Sequence, residues 1–161
     1  MIKSLLVMGL VTASLGAQAA EEGTFKTFVG KYSVSKENCD MFSLSEMKRA
    51  YAQVQKNHKT GADRLVVNLY GDDSSMVIIE TGQGYSEDDR TSRLTNQMWS
   101  QAWTSENTVR QVTMGAEPSR NVVYYEIDTV TKQGKNLILT NEMSSGRKAR
   151  ITKCVLTEDN G

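Results

Sequence analysis

The sequence predicts a mainly β protein: one antiparallel meander of about eight strands, closed into a barrel or strongly curled, with one early α-helix. Three observations support this prediction. From residue 64 onward, apolar and polar residues alternate in short segments. Turn-forming residues separate these segments at near-regular intervals, which is typical of antiparallel neighbours. Two cysteines, Cys39 and Cys154, lie near the start and the end of the predicted domain.

The first elements are a predicted strand over residues 25–35 and a predicted helix over residues 43–57. Ser43-Leu44-Ser45-Glu46 matches the capping box, in which the serine and glutamate side chains bond to free amide groups at a helix start. Leu44, Met47, Tyr51 and Val54 then follow at spacings of three and four, which places them on one helical face.

Three hairpins and a final strand follow the helix. The flanking turns and alternating residues predict strand pairs at 64–70 with 75–81, 95–104 with 107–114, and 122–129 with 135–143, and a last strand at 148–156. Residues 82–93 are polar and rich in turn formers, so they predict a long exposed loop. In the third hairpin, we expect Val123, Tyr125 and Ile127 to face Leu137 and Leu139.

Residues 1–19 resemble a cleavable secretory signal peptide. Lys3 precedes an apolar run that is too short to span a bilayer, and Ala17-Gln18-Ala19 supplies small residues at a cleavage site. A buried N-terminal helix is the alternative. Cleavage after Ala19 leaves residues 20–161 as a single extracytoplasmic domain, either periplasmic or secreted. This part has no apolar stretch near the roughly 20 residues of a membrane helix.

In an oxidising compartment, Cys39 and Cys154 predict a disulfide. It would close a loop of about 115 residues, for which the loop-entropy model gives an upper figure of roughly 4–5 kcal/mol. Two free thiols, or a redox pair, are the alternatives, although a redox pair more usually has the C-x-x-C spacing.

Charge excludes some partners. The chain has 19 basic and 19 acidic residues, and loss of Lys3 leaves 18 against 19. Such a chain lacks the basic surface that binds nucleic acid or anionic lipid. A small apolar ligand or an envelope protein remains as a possible partner, and the sequence leaves the oligomeric state open.

The titratable residues form no catalytic or metal-binding motif, so we assign no catalytic residue, metal or cofactor. His58 is the only histidine, and it follows the predicted helix as a surface residue. Zinc would lack ligands. Asp72-Asp73 and Glu87-Asp88-Asp89 do not match a calcium loop. A pair of acids acting as in a glycosidase would need a cleft, which the sequence does not reveal.

The predicted ligand-binding residues are three aromatic residues, Trp99, Trp103 and Tyr125, and two glutamines, Gln97 and Gln101. Aromatic rings combine apolar area with a polar tip, which suits the mouth of a binding site. The alternative is that the rings fill the barrel core. The spacing of four between the tryptophans also fits a helix.

Gly30-Lys31-Tyr32, after Phe28, resembles the G-x-W region at the first strand of lipocalin-like (calycin) barrels, with Tyr32 in place of the tryptophan. The meander and the disulfide are also similar to that family. The resemblance implies a basic residue on the last strand, Arg150 or Lys153, packed over Tyr32. It also implies an interior cup for a small apolar ligand.

These observations favour a binding protein over an enzyme. The leading hypothesis is an extracytoplasmic barrel that holds an apolar or amphiphilic ligand. The first alternative is an interaction protein, such as an inhibitor or an envelope assembly factor, that uses residues 82–93 or a sheet edge. The second is a hydrolase that uses carboxylates, which would require two acids to converge with perturbed pKa values.

Overall fold

The computed structural model describes residues 23–41, 47–70, 75–88, 95–117, 122–145 and 148–159. The predicted signal peptide and the start of the predicted helix, Ser43 to Glu46, lie outside these residues. The described chain forms ten strands: β1 (Gly30–Val34), β2 (Lys48–Lys56), β3 (Asp63–Leu69), β4 (Ser75–Glu80), β5 (Gln83–Asp88), β6 (Thr95–Ser105), β7 (Thr108–Glu117), β8 (Val122–Gln133), β9 (Asn136–Ser145) and β10 (Lys148–Glu158).

All ten strands belong to one antiparallel sheet, in the order β4-β3-β2-β1-β10-β9-β8-β7-β6-β5. The first and last strands are therefore neighbours in the middle of the sheet. The sheet curls until its two terminal strands, β4 and β5, approach each other and form a nearly closed barrel. The predicted mainly β meander is confirmed, with ten strands rather than about eight. The described residues include no helix long and apolar enough to cross a membrane.

The predicted helix over residues 43–57 is wrong for its larger part, because Lys48–Lys56 is strand β2. Ala50 and Ala52 are 2% and 3% exposed and point into the barrel, with the less buried Tyr51 between them. β2 pairs with β1 on one side and with β3 on the other. Because β2 is paired on both sides, it is a strand although its larger apolar residues have helical spacing. Ala50 and Ala52 provide the alternation of a strand, but they are too small to stand out in the sequence pattern.

The predicted exposed loop over residues 82–93 is also wrong in part, because Gln83–Asp88 is strand β5 and pairs with β6. Its sequence has no apolar alternation because it is an edge strand with a glycine on its inner face. Gly84 lies opposite Trp99, and a Cβ at Gly84 would be 2.1 Å from the Trp99 ring. The indole therefore takes the space that a side chain of β5 would occupy.

The third hairpin is present, but its predicted facing is wrong. Leu137 and Leu139 pair with Lys132 and Val130, whereas Val123 lies on the outer face of β8 and is 66% exposed. The strands extend to a two-residue turn in which Gly134 has a φ of 57°. The turn therefore lies at a different position from the one predicted. Because successive side chains alternate between the two faces, the residues of β8 that face inward differ by one position from the predicted set.

The predicted first strand is divided. Phe25–Phe28 forms a turn of 3-10 helix, and only then does β1 begin. The two phenylalanines are buried against Trp103, with a ring-centre distance of 5.7 Å in each case, and the Phe28 and Trp103 rings are stacked. This segment therefore closes one end of the barrel.

One half of the barrel interior is solid. Its inward side chains are fully buried and largely apolar, and they come from seven of the ten strands: Tyr32, Leu65, Val67, Ile79, Val109, Val130, Leu137, Leu139 and Leu156. Such packing leaves no open apolar cup in this half. The other half of the interior carries polar and aromatic side chains on β6 to β9.

The disulfide between Cys39 and Cys154 is confirmed. The two residues also form an isolated antiparallel bridge that extends the pairing of β1 with β10. Cys154 is fully buried. The disulfide therefore fixes the residues that follow β1 to the middle of β10.

The basic residue packed on Tyr32 is Lys132 of β8, not Arg150 or Lys153 of the last strand as the family resemblance implied. Both predicted residues are exposed. Lys153 is on the outer face, and Arg150 lies at the far end of β10, opposite Met143. β10 contributes Glu158 instead, whose carboxylate accepts a hydrogen bond from Lys132.

Candidate functional site

The barrel is held at β4 and β5 by side chains rather than by strand pairing. Among the described strands, β4 pairs with β3 alone and β5 with β6 alone. Thr81 and Gly82 connect them, and Gly82 has a φ of 77° that favours glycine. The Gly82 carbonyl accepts a bond from the Gln101 backbone at 2.7 Å, and its N–H donates to the Gln101 side chain at 3.2 Å. Gly82 is thereby fixed to β6, and the chain turns away from β4.

Gln111 of β7 replaces a strand neighbour at the edge of β4. Its Oε1 accepts a hydrogen bond from the Glu80 backbone N–H at 2.6 Å, and its Nε2 donates to the Ile78 carbonyl at 3.4 Å. The Gln111 side chain points into the barrel and is 7% exposed. The edge of β4 is thus bonded to the inner face of β7 through one amide.

A cavity of about 510 Å³ lies beside this contact, and we call it the seam cleft. One wall is the face of β3 and β4 that carries Arg64, Ile78 and Glu80, and the other is the inner face of β6 and β7. Its volume is within the range of small-molecule sites, roughly 300–1,000 Å³. The remaining lining residues come from β5 to β7 and from the turn between β2 and β3: Tyr85, Gln97, Trp99, Gln111, Thr113, Asn57, His58, Lys59 and Thr60.

Within the part of the chain that the structure describes, two hydrogen-bond donors of the cleft lining have no acceptor. Arg64 directs Nη1 at Glu80, 3.7 Å away, and its Nη2 donates to Gln55 at 3.2 Å, but its Nε is buried without an acceptor. Trp99 Nε1 is likewise buried and unpaired. Each buried N–H without an acceptor costs about 1–3 kcal/mol.

No protein-family model matches this chain, and no curated protein matches it. Among solved structures, secretory abundant heat soluble protein 4 from Ramazzottius varieornatus is similar to this chain, with a TM-score of 0.47 and 12% sequence identity. The match covers 87% of this chain and 100% of that one. We assign no function from this likeness.

The structure divides the predicted ligand-binding residues among three places. Trp99 and Gln97 line the seam cleft, where Gln97 Nε2 donates to the Tyr124 hydroxyl at 2.7 Å. Trp103 and Gln101 line a neighbouring cavity of about 310 Å³ beneath the N-terminal segment. Tyr125 lies on the outer face of β8, opposite Met114, and its hydroxyl donates to Glu142 at 3.2 Å. The tryptophans lie on strand β6, which excludes the helical alternative.

Two acids converge next to the cleft, on the inner face of β8. Asn141 Nδ2 donates to Glu126 at 2.6 Å and to Asp128 at 2.8 Å. Burial raises the pKa of Asp128 to about 6; the Asn141 hydrogen bond opposes this rise, and the Glu126 charge reinforces it. Asp128 lies opposite Gln111 in the pairing of β7 with β8, so its charge affects the polar half of the interior.

Metal ligands are not clustered in the part of the chain that the structure describes, where no group of three or more His, Cys, Asp or Glu side chains converges. His58 is exposed in the turn between β2 and β3. Its side chain is at the rim of the seam cleft.

Sequence reasoning did not identify Arg64, Glu80 and Gln111. Arg64 and Glu80 lie on the face of β3 and β4 that points away from the apolar core, which normally faces solvent. They are 23% and 18% exposed because the inner face of β6 and β7 covers them. The buried Val66 on the same face of β3 is the one sequence signal, since it continues the apolar run Leu65-Val66-Val67.

Proposed function

We propose that this chain is a lipocalin-like, extracytoplasmic binding protein that holds an amphiphilic ligand in the seam cleft. In this proposal, residues 1–19 are removed and residues 20–161 form the mature domain. The disulfide between Cys39 and Cys154 supports an oxidising compartment. The contact of Tyr32 with a basic residue supports the likeness to lipocalin-like barrels, although that residue comes from β8.

The observation that carries the proposal is the mixed lining of the seam cleft. Trp99, Tyr85 and Ile78 provide apolar surface, and the unpaired Arg64 Nε and Trp99 Nε1 provide donors. The described side chains fill the apolar half of the barrel, so this half offers no cup to a purely apolar ligand. A ligand with an apolar body and a polar group fits both features.

Titration with 1-anilinonaphthalene-8-sulfonate tests this proposal, because the dye has an aromatic body and gains fluorescence in an apolar site. We expect saturable, one-to-one binding to the folded protein. Thr113→Phe fills the cleft from β7 and should weaken binding at least tenfold. Val112→Phe is the matched control, since Val112 is the adjacent residue on the outer face and does not line the cleft.

Circular dichroism establishes that both variants fold. Equal dye binding by the two variants would place the dye elsewhere and count against the seam cleft. Absence of saturable binding to the unmodified protein would reject the proposal. Native mass spectrometry of detergent-free protein then gives the mass of any retained ligand.

A second candidate is the interaction protein, and the outer face of β5 to β7 favours it. Tyr85, Met98 and Met114 are directly paired across these strands and are 57%, 56% and 50% exposed. Exposed methionines adapt to varied apolar partners. A photocrosslinker at Met98, compared with one at the exposed Ala149 of β10, tests this in the intact envelope. One adduct of defined mass specific to Met98 is expected, and equal labelling from both positions would reject it.

A further inference from the structure

We propose that the polar group of the ligand is an anion with at least two acceptor oxygens, a carboxylate or a phosphate, and that Arg64 and Trp99 bind it. This inference rests on the proposed function and specifies the ligand class of the same cleft. The juxtaposition behind it is a guanidinium and an indole on opposite walls of one cavity, each with an N–H that has no acceptor among the described residues.

The guanidinium of Arg64 is held in place by its two other nitrogen atoms. Nη2 donates to Gln55 at 3.2 Å, and Nη1 is 3.7 Å from Glu80, beyond ordinary hydrogen-bond length. These two contacts hold the Arg64 side chain in place on β3, so the orientation of its Nε–H is also fixed. An anion that accepts from Nε completes the hydrogen bonding of the guanidinium without displacing Gln55.

The indole of Trp99 is fixed by its contact with β5. The ring lies over Gly84, where a Cβ would be 2.1 Å away, and Trp99 also lines the cleft. Its Nε1 can only donate a hydrogen bond, so the ligand group that binds it must be an acceptor. A neutral hydroxyl would satisfy one of the two N–H groups, whereas a carboxylate or phosphate has oxygens for both.

The charged residues that line the cleft also favour an anion. The charged lining residues are Arg64, Lys59 and Glu80, which give an excess of one positive charge. Glu80 is already engaged, because it accepts from Asn57 Nδ2 at 3.0 Å and faces Arg64. The two acids on β8 are held by Asn141 and do not line the cleft. Among the described lining residues, Glu80 is the one carboxylate, so a cationic ligand would find no unengaged carboxylate among them.

The experiment compares four probes with the same ten-carbon chain: decanoate, decyl phosphate, decanol and decyltrimethylammonium. Isothermal titration calorimetry below the micelle concentration gives each dissociation constant. We expect one or both anions to bind about 10- to 100-fold more tightly than decanol, since hydrogen bonds to charged groups are the stronger ones. We expect the cation to bind more weakly than decanol. The dissociation constants of decanoate and decyl phosphate, compared with each other, show which anion the site prefers.

Three variants assign the selectivity to the named side chains. Arg64→Gln and Trp99→Phe should each reduce anion binding about tenfold and leave decanol binding within about twofold. Glu80→Gln removes the competing carboxylate and should tighten anion binding several-fold, which a merely structural role would not produce. Arg110→Gln is the matched control, because Arg110 is exposed on the outer face of β7. Arg64→Lys replaces Arg64→Gln should the latter not fold.

The two proposals fail in different ways. Equal affinity for decanol and both anions, or unchanged selectivity in Arg64→Gln, would overturn the anion proposal and leave amphiphile binding standing. Tighter binding of decyltrimethylammonium than of decanoate would also overturn it. Failure of all four probes and of the fluorescent dye to bind would reject the proposed function itself.

Discussion

The Lys132 ammonium lies 3.1 Å from the hydroxyl oxygen of Tyr32 and 4.8 Å from the centre of its ring. The same ammonium donates to Glu158 at 3.3 Å, and the Tyr32 hydroxyl donates to the Phe28 carbonyl at 2.7 Å. These contacts join β8, β10, β1 and the N-terminal segment at the closed end of the barrel. Burial lowers the pKa of Lys132, but its hydrogen bonds to Tyr32 and Glu158 and the Glu158 charge raise it by more, so the pKa is above its ordinary value.

Lys132→Met should lower the free energy of unfolding by about 1–3 kcal/mol, because it removes two hydrogen bonds and a cation–π contact. Urea denaturation at pH 7 measures the change. Lys135→Met, in the exposed turn after β8, is the control and should change stability by less than about 0.5 kcal/mol. An equal loss in both variants would show that Lys132 contributes only general charge.

Asp128 predicts an unusual dependence of stability on pH. Its folded-state pKa of about 6 is above the ordinary 3.8, so the folded protein binds more protons than the unfolded chain between these values. The free energy of unfolding contributed by this group therefore falls as pH rises through that window. Asp128→Asn should increase stability at pH 7.5 by about 2–3 kcal/mol, from about two units of pKa at 1.36 kcal/mol each.

Urea denaturation at pH 5.0 and pH 7.5 checks this effect. The difference between Asp128→Asn and the unmodified protein should shrink at pH 5.0, where the buried carboxyl is already neutral. Glu106→Gln, in the exposed turn between β6 and β7, is the control and should follow the unmodified protein. A variant that is destabilised at both pH values would mean that the carboxylate is needed in its charged form.

Gln111 predicts local opening of the barrel. Gln111→Ala leaves the Glu80 N–H and the Ile78 carbonyl without a partner, so stability should fall by about 1–3 kcal/mol. Amide hydrogen exchange should accelerate at Glu80 well before it does in β9 or β10. Arg110→Ala, on the opposite face of β7, should leave that exchange unchanged. Uniform acceleration over all strands would contradict a local role.

Gly84 predicts the position of Trp99. Gly84→Ala places a methyl group where the indole lies, so the ring must move and stability should fall by about 1–3 kcal/mol. We expect altered tryptophan emission and weaker dye binding in the seam cleft. Ser100→Ala, on the outer face of β6, is the comparison variant. Unchanged emission and dye binding would mean that Trp99 does not depend on this contact.

The elements that the sequence predicts well are those whose apolar residues alternate between recognisable turns. This holds for the strands after residue 62 other than β5, and for the disulfide, since two cysteines in an oxidising compartment leave few alternatives. β2 was hidden because Leu44, Met47, Tyr51 and Val54 happen to have helical spacing, while its inward residues include small alanines. The apolar pattern of β5 is missing because Gly84, on its inner face, leaves the space to the indole of Trp99.

The candidate site was only half predictable for a related reason. Trp99 and Gln97 were identified because aromatic and amide side chains on one strand face are a local pattern. Arg64 and Gln111 belong to no local sequence pattern, since their burial depends on the contact of β4 with the inner face of β7. Such contacts depend on how strongly the sheet is curved. That curvature is set by all ten strands together, so no single segment of the sequence predicts it.

The sheet order has a consequence for chain connectivity. Because β1 and β10 are neighbours, Asp159 reaches the start of β1, where its N–H donates to the Lys31 carbonyl at 2.9 Å. A short linker from there to Gly23, with new ends between Thr81 and Gly82, would give a circularly permuted protein in which every paired strand follows its partner directly in sequence. Such a permutant should fold with all native pairings. Its two new termini would lie between β4 and β5, and Thr81 lines the neighbouring cavity beneath the N-terminal segment, so a domain fused there would sit beside that cavity.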